Sequence, residues 1–338
     1  MIYYTIYQPQ YVHQMTIEEL FSSKPYVPYT RNNNACTFTY EMTRSTPKMR
    51  KSVNTAMLGR KLTEFNARYA ELREAERHSL YHSFSIPKKS GGLRKIDAPL
   101  PELMAALREL RDIFENDFHA LYHTTAFAYV KGRSNVSAIK KHQQNNSKWF
   151  AKFDLANFFN STTPEFVMQQ LSMIFPFCEV VKSKPGKEAL ATALDLCFLD
   201  GGLPQGTPIS PLLTNLIMIP FDHRFTRYCR EHNLVYTRYA DDFIISSKYT
   251  FDHKEVEATI IKTLQPMDAP FSIKKEKTRY GSSSGSNWNL GVMLNKDNEI
   301  TIGHKKKRQF EGMLLNYISD HENHKYWSHD DLMTMHGY

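Results

Sequence analysis

Between Leu234 and Ser246 the chain reads Leu-Val-Tyr-Thr-Arg-Tyr-Ala-Asp-Asp-Phe-Ile-Ile-Ser, two β-favouring runs on either side of Ala240-Asp241-Asp242. Aromatic and β-branched residues suit a pleated, half-buried surface, and a short break between two such runs predicts a β-hairpin. Its tip would carry two adjacent carboxylates. Acidic residues are ordinary in turns, so this segment alone fits a simple strand-ending turn better than a reactive site. A second segment shifts the balance. Trp149-Phe-Ala-Lys-Phe-Asp154 is an apolar strand ending in a carboxylate, followed at once by the helix-like Leu155-Ala-Asn-Phe-Phe159. Two such strands lying side by side would bring Asp154 towards Asp241 and Asp242. Converging carboxylate oxygens are the hard ligands that Mg²⁺ prefers, and two such ions roughly 3.5–4 Å apart clamp the attacking and leaving oxygens of a phosphoryl transfer. Because consecutive strand residues face opposite ways, Asp154 and Asp241 are expected to matter most, with Asp242 contributing less unless the turn rotates it inward.

The rest of the chain alternates short strands with helical stretches. Strands are expected around Tyr81 to Ile86, Gly92 to Ile96, Trp149 to Asp154 and Val235 to Ser246, and a helix over Pro101 to Phe118, which is an α+β pattern. Thr16-Ile17-Glu18-Glu19 has the form of a capping box opening a short helix. From Thr46-Pro47 onward, Met49, Val53, Met57, Leu62, Phe65, Tyr69 and Leu72 recur at helical spacing, giving one long amphipathic helix or two meeting near Gly59. Ser210-Pro211 reads as an N-cap followed by Pro at the first helical position. Gln205 and Gly206 then fall in the loop before a helix over Leu212 to Ile219, where glycine lets backbone approach a ligand. A Ser-rich loop runs from Gly281 to Ser286. Thr301-Ile-Gly-His-Lys-Lys-Lys-Arg308 leads into a helix from Phe310 to Ile318, and another helix begins at about Asp330. Cations at a helix N-terminus oppose its dipole, so this run fits either a phosphate partner or a solvated face.

Composition excludes some classes. With 338 residues, 41% of them hydrophobic, the chain has enough material for a sizeable core, and no run of about 18 apolar residues spans a bilayer. Cys36, Cys178, Cys197 and Cys229 lack Cys-x-x-Cys spacing, so they are expected as reduced core thiols in a cytoplasmic protein. The net charge of +8 suits a protein that tracks phosphates.

Three blocks in a fixed order carry a specific resemblance. Phe153-Asp154-Leu-Ala-Asn-Phe-Phe159, Gly202-Leu-Pro-Gln-Gly-Thr-Pro-Ile-Ser-Pro211 and Tyr239-Ala-Asp-Asp242 resemble, in turn, the first catalytic motif, the Leu-Pro-Gln-Gly-x-x-x-Ser-Pro motif and the Tyr-x-Asp-Asp motif of bacterial reverse transcriptases. The retron-type and group II intron-like enzymes are the nearest in pattern. Ile86-Pro-Lys-Lys-Ser-Gly-Gly-Leu-Arg-Lys-Ile-Asp-Ala-Pro99 is similar to the family's basic fingers strands, and Ala126-Phe-Ala-Tyr-Val-Lys-Gly-Arg-Ser134 to the segment after them. The coverage runs from about Tyr81 to Tyr317. Two departures from the retron pattern stand out: Asn135 is followed by Val-Ser-Ala-Ile-Lys-Lys-His142 rather than Ala-x-x-His, and Asn289-Leu-Gly291 replaces Val-Thr-Gly.

The resemblance implies an α+β right-hand polymerase fold with fingers, palm and thumb, its antiparallel palm sheet flanked by helices. The expected division is 1–80 as an N-terminal helical extension, 81–148 as fingers, 149–160 as palm with the first catalytic motif, 161–201 as a fingers/palm helical insertion, 202–285 as palm, and 286–338 as primer grip and thumb. It implies an RNA-directed DNA polymerase making cDNA from dNTPs with two Mg²⁺ ions, or Mn²⁺ in their place, in a retron-like or antiviral defence system. An RNA template, a DNA or RNA primer and a dedicated non-coding RNA are the expected partners. Asp154, Leu155, Asp241 and Asp242 would hold the metal, and in Ser272-Ile-Lys-Lys-Glu-Lys-Thr278 Lys277, or in another register Lys274 or Lys275, would protonate the leaving pyrophosphate. Lys88, Lys89, Arg94, Phe159, Gln205 and Gly206 would hold the nucleotide, Phe159 beneath its sugar. Tyr239, Gly291, Lys305, Lys306, Lys307 and Arg308 would face nucleic acid. A catalytically idle RNA-binding scaffold and a template-independent or protein-primed DNA polymerase are the alternatives, the first disfavoured because a binding module has no use for three mutually repelling acids.

Overall fold

The computed structural model describes residues 2–8, 11–16, 37–42, 55–87, 91–117, 122–283, 291–323 and 325–336. Strands β1 (Ile2–Gln8), β2 (Tyr11–Thr16) and β3 (Thr37–Met42) form an antiparallel sheet in the order β2-β1-β3. The first 80 residues are therefore not a helical extension alone: strand pairing occupies a stretch rich in Tyr, Thr, Ile and Val, residues that suit sheets. Most of the capping box expected at Thr16 to Glu19 lies outside the described residues, as does the helix start at Thr46-Pro47. Helix α1 (Thr55–Arg68) runs through Gly59 unbroken, and the interruption comes at Tyr69, before the short α2 (Ala70–Glu74).

A hairpin follows, β4 (Tyr81–Pro87) with β5 (Leu93–Pro99), then α3 (Pro101–Asp112), which starts on Pro101 and buries Leu103, Ala106, Leu107 and Leu110 along one face. Helix α4 (Asn135–Gln144) opens on a Ser134/Ser137 capping box and leads to β6 (Trp149–Asp154). Helices α5 (Pro164–Leu171), α6 (Phe177–Val180) and α7 (Lys184–Asp195) precede α8 (Ser210–Ile217) and α9 (Ile219–Glu231), where Pro220 accounts for the break between the last two. The hairpin β7 (Val235–Tyr239) and β8 (Asp242–Ser247), helix α10 (His253–Leu264), β9 (Arg279–Ser282), the small hairpin β10 (Met293–Leu294) and β11 (Ile300–Thr301), and helices α11 (His304–Glu322) and α12 (His329–His336) complete the order. Gly281 and Ser282 thus belong to a strand and not to a Ser-rich loop. Helix α11 starts six residues ahead of the expected Phe310, which puts the basic run inside its first turns. No helix among the described residues is long and apolar enough to cross a membrane, and Cys178, Cys197 and Cys229 are buried free thiols.

The antiparallel sheet β7-β8-β6-β9 carries both apolar clusters of the described residues. Residues directly opposite in an antiparallel pair share a face, and the register sets Phe153 against Phe243 and Ala151 against Ile245. That face enters the main core, with Leu62 and Phe65 of α1, Leu107 of α3, Leu213 of α8 and Phe221 and Phe225 of α9. On the other face Phe150 and Ile244 meet Ile139 of α4 and Leu294 of β10 in a small second cluster. The α+β class and the helix-flanked antiparallel sheet expected from the sequence are both present.

Candidate active site

On that second face the apolar cluster gives way to charge. Two residues along from Phe150 is Lys152, and two further is Asp154, whose register partner is Asp242 at the start of β8. Asp154 and Asp242 therefore lie on the same side of the sheet. Asp242 needs no rotation to face Asp154, because the hairpin break takes up only Ala240 and Asp241, and Asp241 is the residue in the turn. Ala240 adopts φ +57, the left-handed conformation a two-residue hairpin demands of one of its central residues.

Backbone hydrogen bonds fix the turn against its neighbours. The Leu155 N–H donates to the Asp241 carbonyl at 3.1 Å, and the Lys274 N–H to the Asp154 carbonyl at 2.8 Å. Beneath the turn, on the core face, Arg238 is fully buried. Its guanidinium donates to both carboxylate oxygens of Asp222, the shortest contact being 2.7 Å, to Asn215 Oδ1 at 3.1 Å and to the Ala240 carbonyl at 3.3 Å. Tyr236 adds its hydroxyl to Asp222 at 2.8 Å. A buried pair satisfied this completely holds its geometry firmly. The sequence reading missed this brace, whose one signal is a charged residue at a core-facing position of an otherwise apolar strand.

The carboxylates themselves are unequal. Lys277 Nζ donates to Asp154 Oδ2 at 2.8 Å, and Lys152 Nζ to Asp242 Oδ2 at 2.9 Å. Lys152 was also missed by the sequence reading; its spacing of two from Asp154 within one strand was the available clue. Burial raises the Asp242 carboxyl while Lys152 pulls it back. Asp241 is pushed up to about 6, first by burial and then by the charges of Asp242 and Asp154. For Lys277 burial opposes the charge, but Asp154, Asp241 and Asp242 outweigh it and raise its pKa. Among the described residues no group of three or more His, Cys, Asp or Glu is gathered as a ready metal-ligand set, and two of the three carboxylates are turned onto lysines. The donors nevertheless suit a divalent cation. Asp242 Oδ1 is buried without a hydrogen-bond partner, and Asp241 is held up by burial and then by its neighbours' negative charge; added positive charge would satisfy the first and relieve the charge on the second.

The expected nucleotide residues divide. Phe158 is buried against Phe271, ring centroids 4.9 Å apart, whereas Phe159 is half-buried and its carbonyl accepts from the Leu203 N–H at 3.0 Å. That bond fastens the Gly202 to Gly206 loop to the end of the first motif. A Cβ on Gly202 would lie 2.2 Å from the Asn160 carbonyl oxygen, so only glycine fits there. Further along the same loop, the Gln205 carbonyl accepts from the Asp97 N–H at 2.8 Å, which ties it to β5. Gly206 stands at φ +121, and a Cβ there would meet the Asp97 carbonyl oxygen at 2.9 Å. Ser210 does not cap α8 as expected; the Thr207 hydroxyl accepts from the Ser210 N–H at 3.2 Å. Arg94 is exposed on β5, while Lys88 and Lys89 lie outside the described residues.

Tyr239 pairs with Asp242 at the hairpin end. Farther off, Lys306 donates to the Gly291 carbonyl at 3.1 Å and Lys307 lies 3.9 Å from Glu311. Lys305 and Arg308 line a shallow surface groove with His304 and Gln309. The structure therefore brings Asp154, Leu155, Asp241, Asp242, Lys277 and Tyr239 together, places Phe159, Gln205 and Gly206 on one connected loop system, and puts the basic run on a separate helix.

The family profile described as reverse transcriptase (RNA-dependent DNA polymerase) matches residues 86–313. Retron Ec83 reverse transcriptase of Escherichia coli is 28% identical over 253 residues, covering 70% of this chain and 75% of the relative. Retron Ec73 reverse transcriptase of Escherichia coli is 30% identical over 233 residues, covering 66% and 72%. Among solved structures, apo telomerase from Candida Tropicalis truncated from its C-terminal domain is similar at 12% identity and a TM-score of 0.45; the likeness covers 73% of this chain and 60% of that one.

Proposed function

Because this chain belongs to the reverse transcriptase (RNA-dependent DNA polymerase) family, we propose that it extends a primer with dNTPs at a centre made of Asp154, Asp241 and Asp242. The observation that carries this reading is the register of β6 against β8, which sets Asp154 opposite Asp242 with Asp241 in the adjoining turn. In it, β4–β5 serves as fingers, the sheet β7-β8-β6-β9 as palm, and α11 with α12 as thumb.

Asp154, Asp241 and Asp242, with the Leu155 carbonyl, would hold divalent cations, Mg²⁺ by the hardness of an all-oxygen set. When bound, such ions lower the charge on the reacting phosphate and orient the primer 3′-hydroxyl. The chain's own residues do the rest. Arg238, through the Ala240 carbonyl, holds the turn that aims Asp241. Lys277 keeps its proton at Nζ beside Asp154 and is placed to give it to the leaving pyrophosphate. Gln205 and Gly206 form the floor of the nucleotide pocket, and the Phe159 ring fills the space a ribose 2′-hydroxyl would need. Arg94 presents a guanidinium suited to a triphosphate. The template is RNA, and a dedicated non-coding RNA is its proposed source.

The test is dNTP incorporation on a primed RNA template with Mg²⁺, together with sequencing of nucleic acid that co-purifies with the chain. Asp154→Asn, Asp241→Asn and Asp242→Asn should each abolish synthesis while RNA binding persists. Wild-type-like incorporation by Asp241→Asn removes this reading, and RNA binding without any incorporation by the wild type favours a scaffold.

A further inference from the structure

The segment between α3 and α4 exposes an aromatic side chain where backbone energetics disfavour one. Tyr129 sits at φ +60, in the left-handed region that bulky residues avoid, and 53% of its surface is exposed. Core packing therefore does not account for a tyrosine at this position.

Its surroundings nonetheless hold it in place. The Phe127 N–H donates to the Arg238 carbonyl at 2.8 Å, and the Arg238 N–H to the Thr125 carbonyl at 2.7 Å. Asn215 Nδ2 donates to the Ala128 carbonyl at 2.9 Å, and Arg133 donates to the carbonyls of His123 and Ala126. The segment is thus fastened to β7 and α8, the elements that brace the carboxylate turn. Strained conformations fixed this way cluster at ligand clamps and active sites.

The ring also faces the proposed pocket. It stands edge-to-face with Phe159, centroids 6.4 Å apart and planes at 81°. Desolvation raises the phenol pKa, the charges of Asp241 and Tyr239 add to the rise, and Arg94 opposes it, so these three groups lie within electrostatic reach of the hydroxyl.

We propose that Tyr129 is a specificity-determining residue whose ring continues the pocket wall begun by Phe159, fixes the Phe159 ring and contacts the sugar of the incoming nucleotide. This rests on reading the carboxylate site as a polymerase centre. An aromatic wall selects by shape: it accepts the flat deoxyribose edge and offers nothing to a 2′-hydroxyl.

The test measures kcat and KM for a matched dNTP and rNTP with the full-length wild type, Tyr129→Gly, Tyr129→Ala and Tyr129→Phe, alongside their melting temperatures. Glycine removes the ring and suits φ +60, so Tyr129→Gly should melt at or above the wild-type temperature. Its dNTP KM should rise about 10-fold and its preference for dNTP over rNTP should fall about 10-fold, with Tyr129→Phe restoring both to within about threefold. A Tyr129→Gly chain with wild-type KM and sugar preference overturns the proposal. So does a Tyr129→Phe chain that behaves like Tyr129→Gly, since the ring would then not be the wall. Equal falls in dNTP and rNTP turnover at unchanged preference overturn it as well. Absence of incorporation by the wild type is a different result: it removes the polymerase reading, and the nucleotide pocket with it.

Discussion

Asp154 and Asp242 each have a lysine on one oxygen, while Asp241 is raised to about 6 by burial and by the other two. Its ordinary value is 3.8. Below about pH 4 the folded and unfolded chains both hold the proton, and the two states do not differ. As the pH rises towards 6 the unfolded chain ionises first, so stability is lost across that window and stays lost above it. Asp241→Asn should therefore raise the melting temperature at pH 7.5 in chelator-containing buffer, leave it unchanged at pH 4, and still abolish synthesis. A variant that melts at or below wild type at pH 7.5 would show that the turn does not carry this repulsion. The Phe pair gives a second residue-scale test. Phe158→Ala should cost roughly 3–5 kcal/mol in denaturant melts, and Phe159→Ala should instead shift the rNTP to dNTP ratio of kcat/KM by about 10-fold or more. If Phe158→Ala moves the ratio and Phe159→Ala does not, the pocket faces the other ring.

At the level of elements, the hairpin β7–β8 owes its fixed tip to a charge pair on its hidden side. Arg238→Met would leave Asp222 ionised in the core without its partner, a loss of about 3–5 kcal/mol. The double variant Arg238→Met with Asp222→Leu should recover part of that stability but not activity, because nothing then holds the Ala240 carbonyl. Recovery of both would make the pair purely structural. These elements also show what was legible in the sequence. The hairpin and the acidic strand end follow from local alternation and turn chemistry, which act within a few residues, whereas the helix-like stretch Leu155 to Phe159 runs as turns, with Asn157 at φ +48. Lys152, Tyr129 and the Arg238–Asp222–Asn215 brace were not legible, because their meaning depends on partners that the fold brings in from elsewhere. The same limit left the orientation of Asp242 open: alternation along β8 gives opposite faces for neighbours, but only the register with β6 sets Asp242 opposite Asp154. Helix boundaries slipped where tertiary contacts set them, as at Tyr69 and His304.

Over the whole molecule, the basic run on α11 divides into paired and open cations. Lys306 is engaged with Gly291 and Lys307 lies near Glu311, while Lys305 and Arg308 line the groove. Replacing Lys305 and Arg308 by Ala should reduce the slope of log affinity against log salt for primed template by about 1.8, at close to 0.9 per phosphate contact. Replacing Lys306 and Lys307 should reduce it less; an equal effect of the two pairs would mean that the whole run is on the nucleic acid. The strand order β7-β8-β6-β9 bears on how the chain is made. Strand β6 is central, yet both of its neighbours come later in the sequence: Lys152 lies opposite Ile244 of β8 and opposite Arg279 of β9. At about 5–20 residues per second of synthesis, β6 leaves the ribosome many seconds before either partner, with both edges open to pairing with another chain. The nascent protein therefore passes through an interval of self-association risk until β8 and β9 have emerged to cover the two edges of β6.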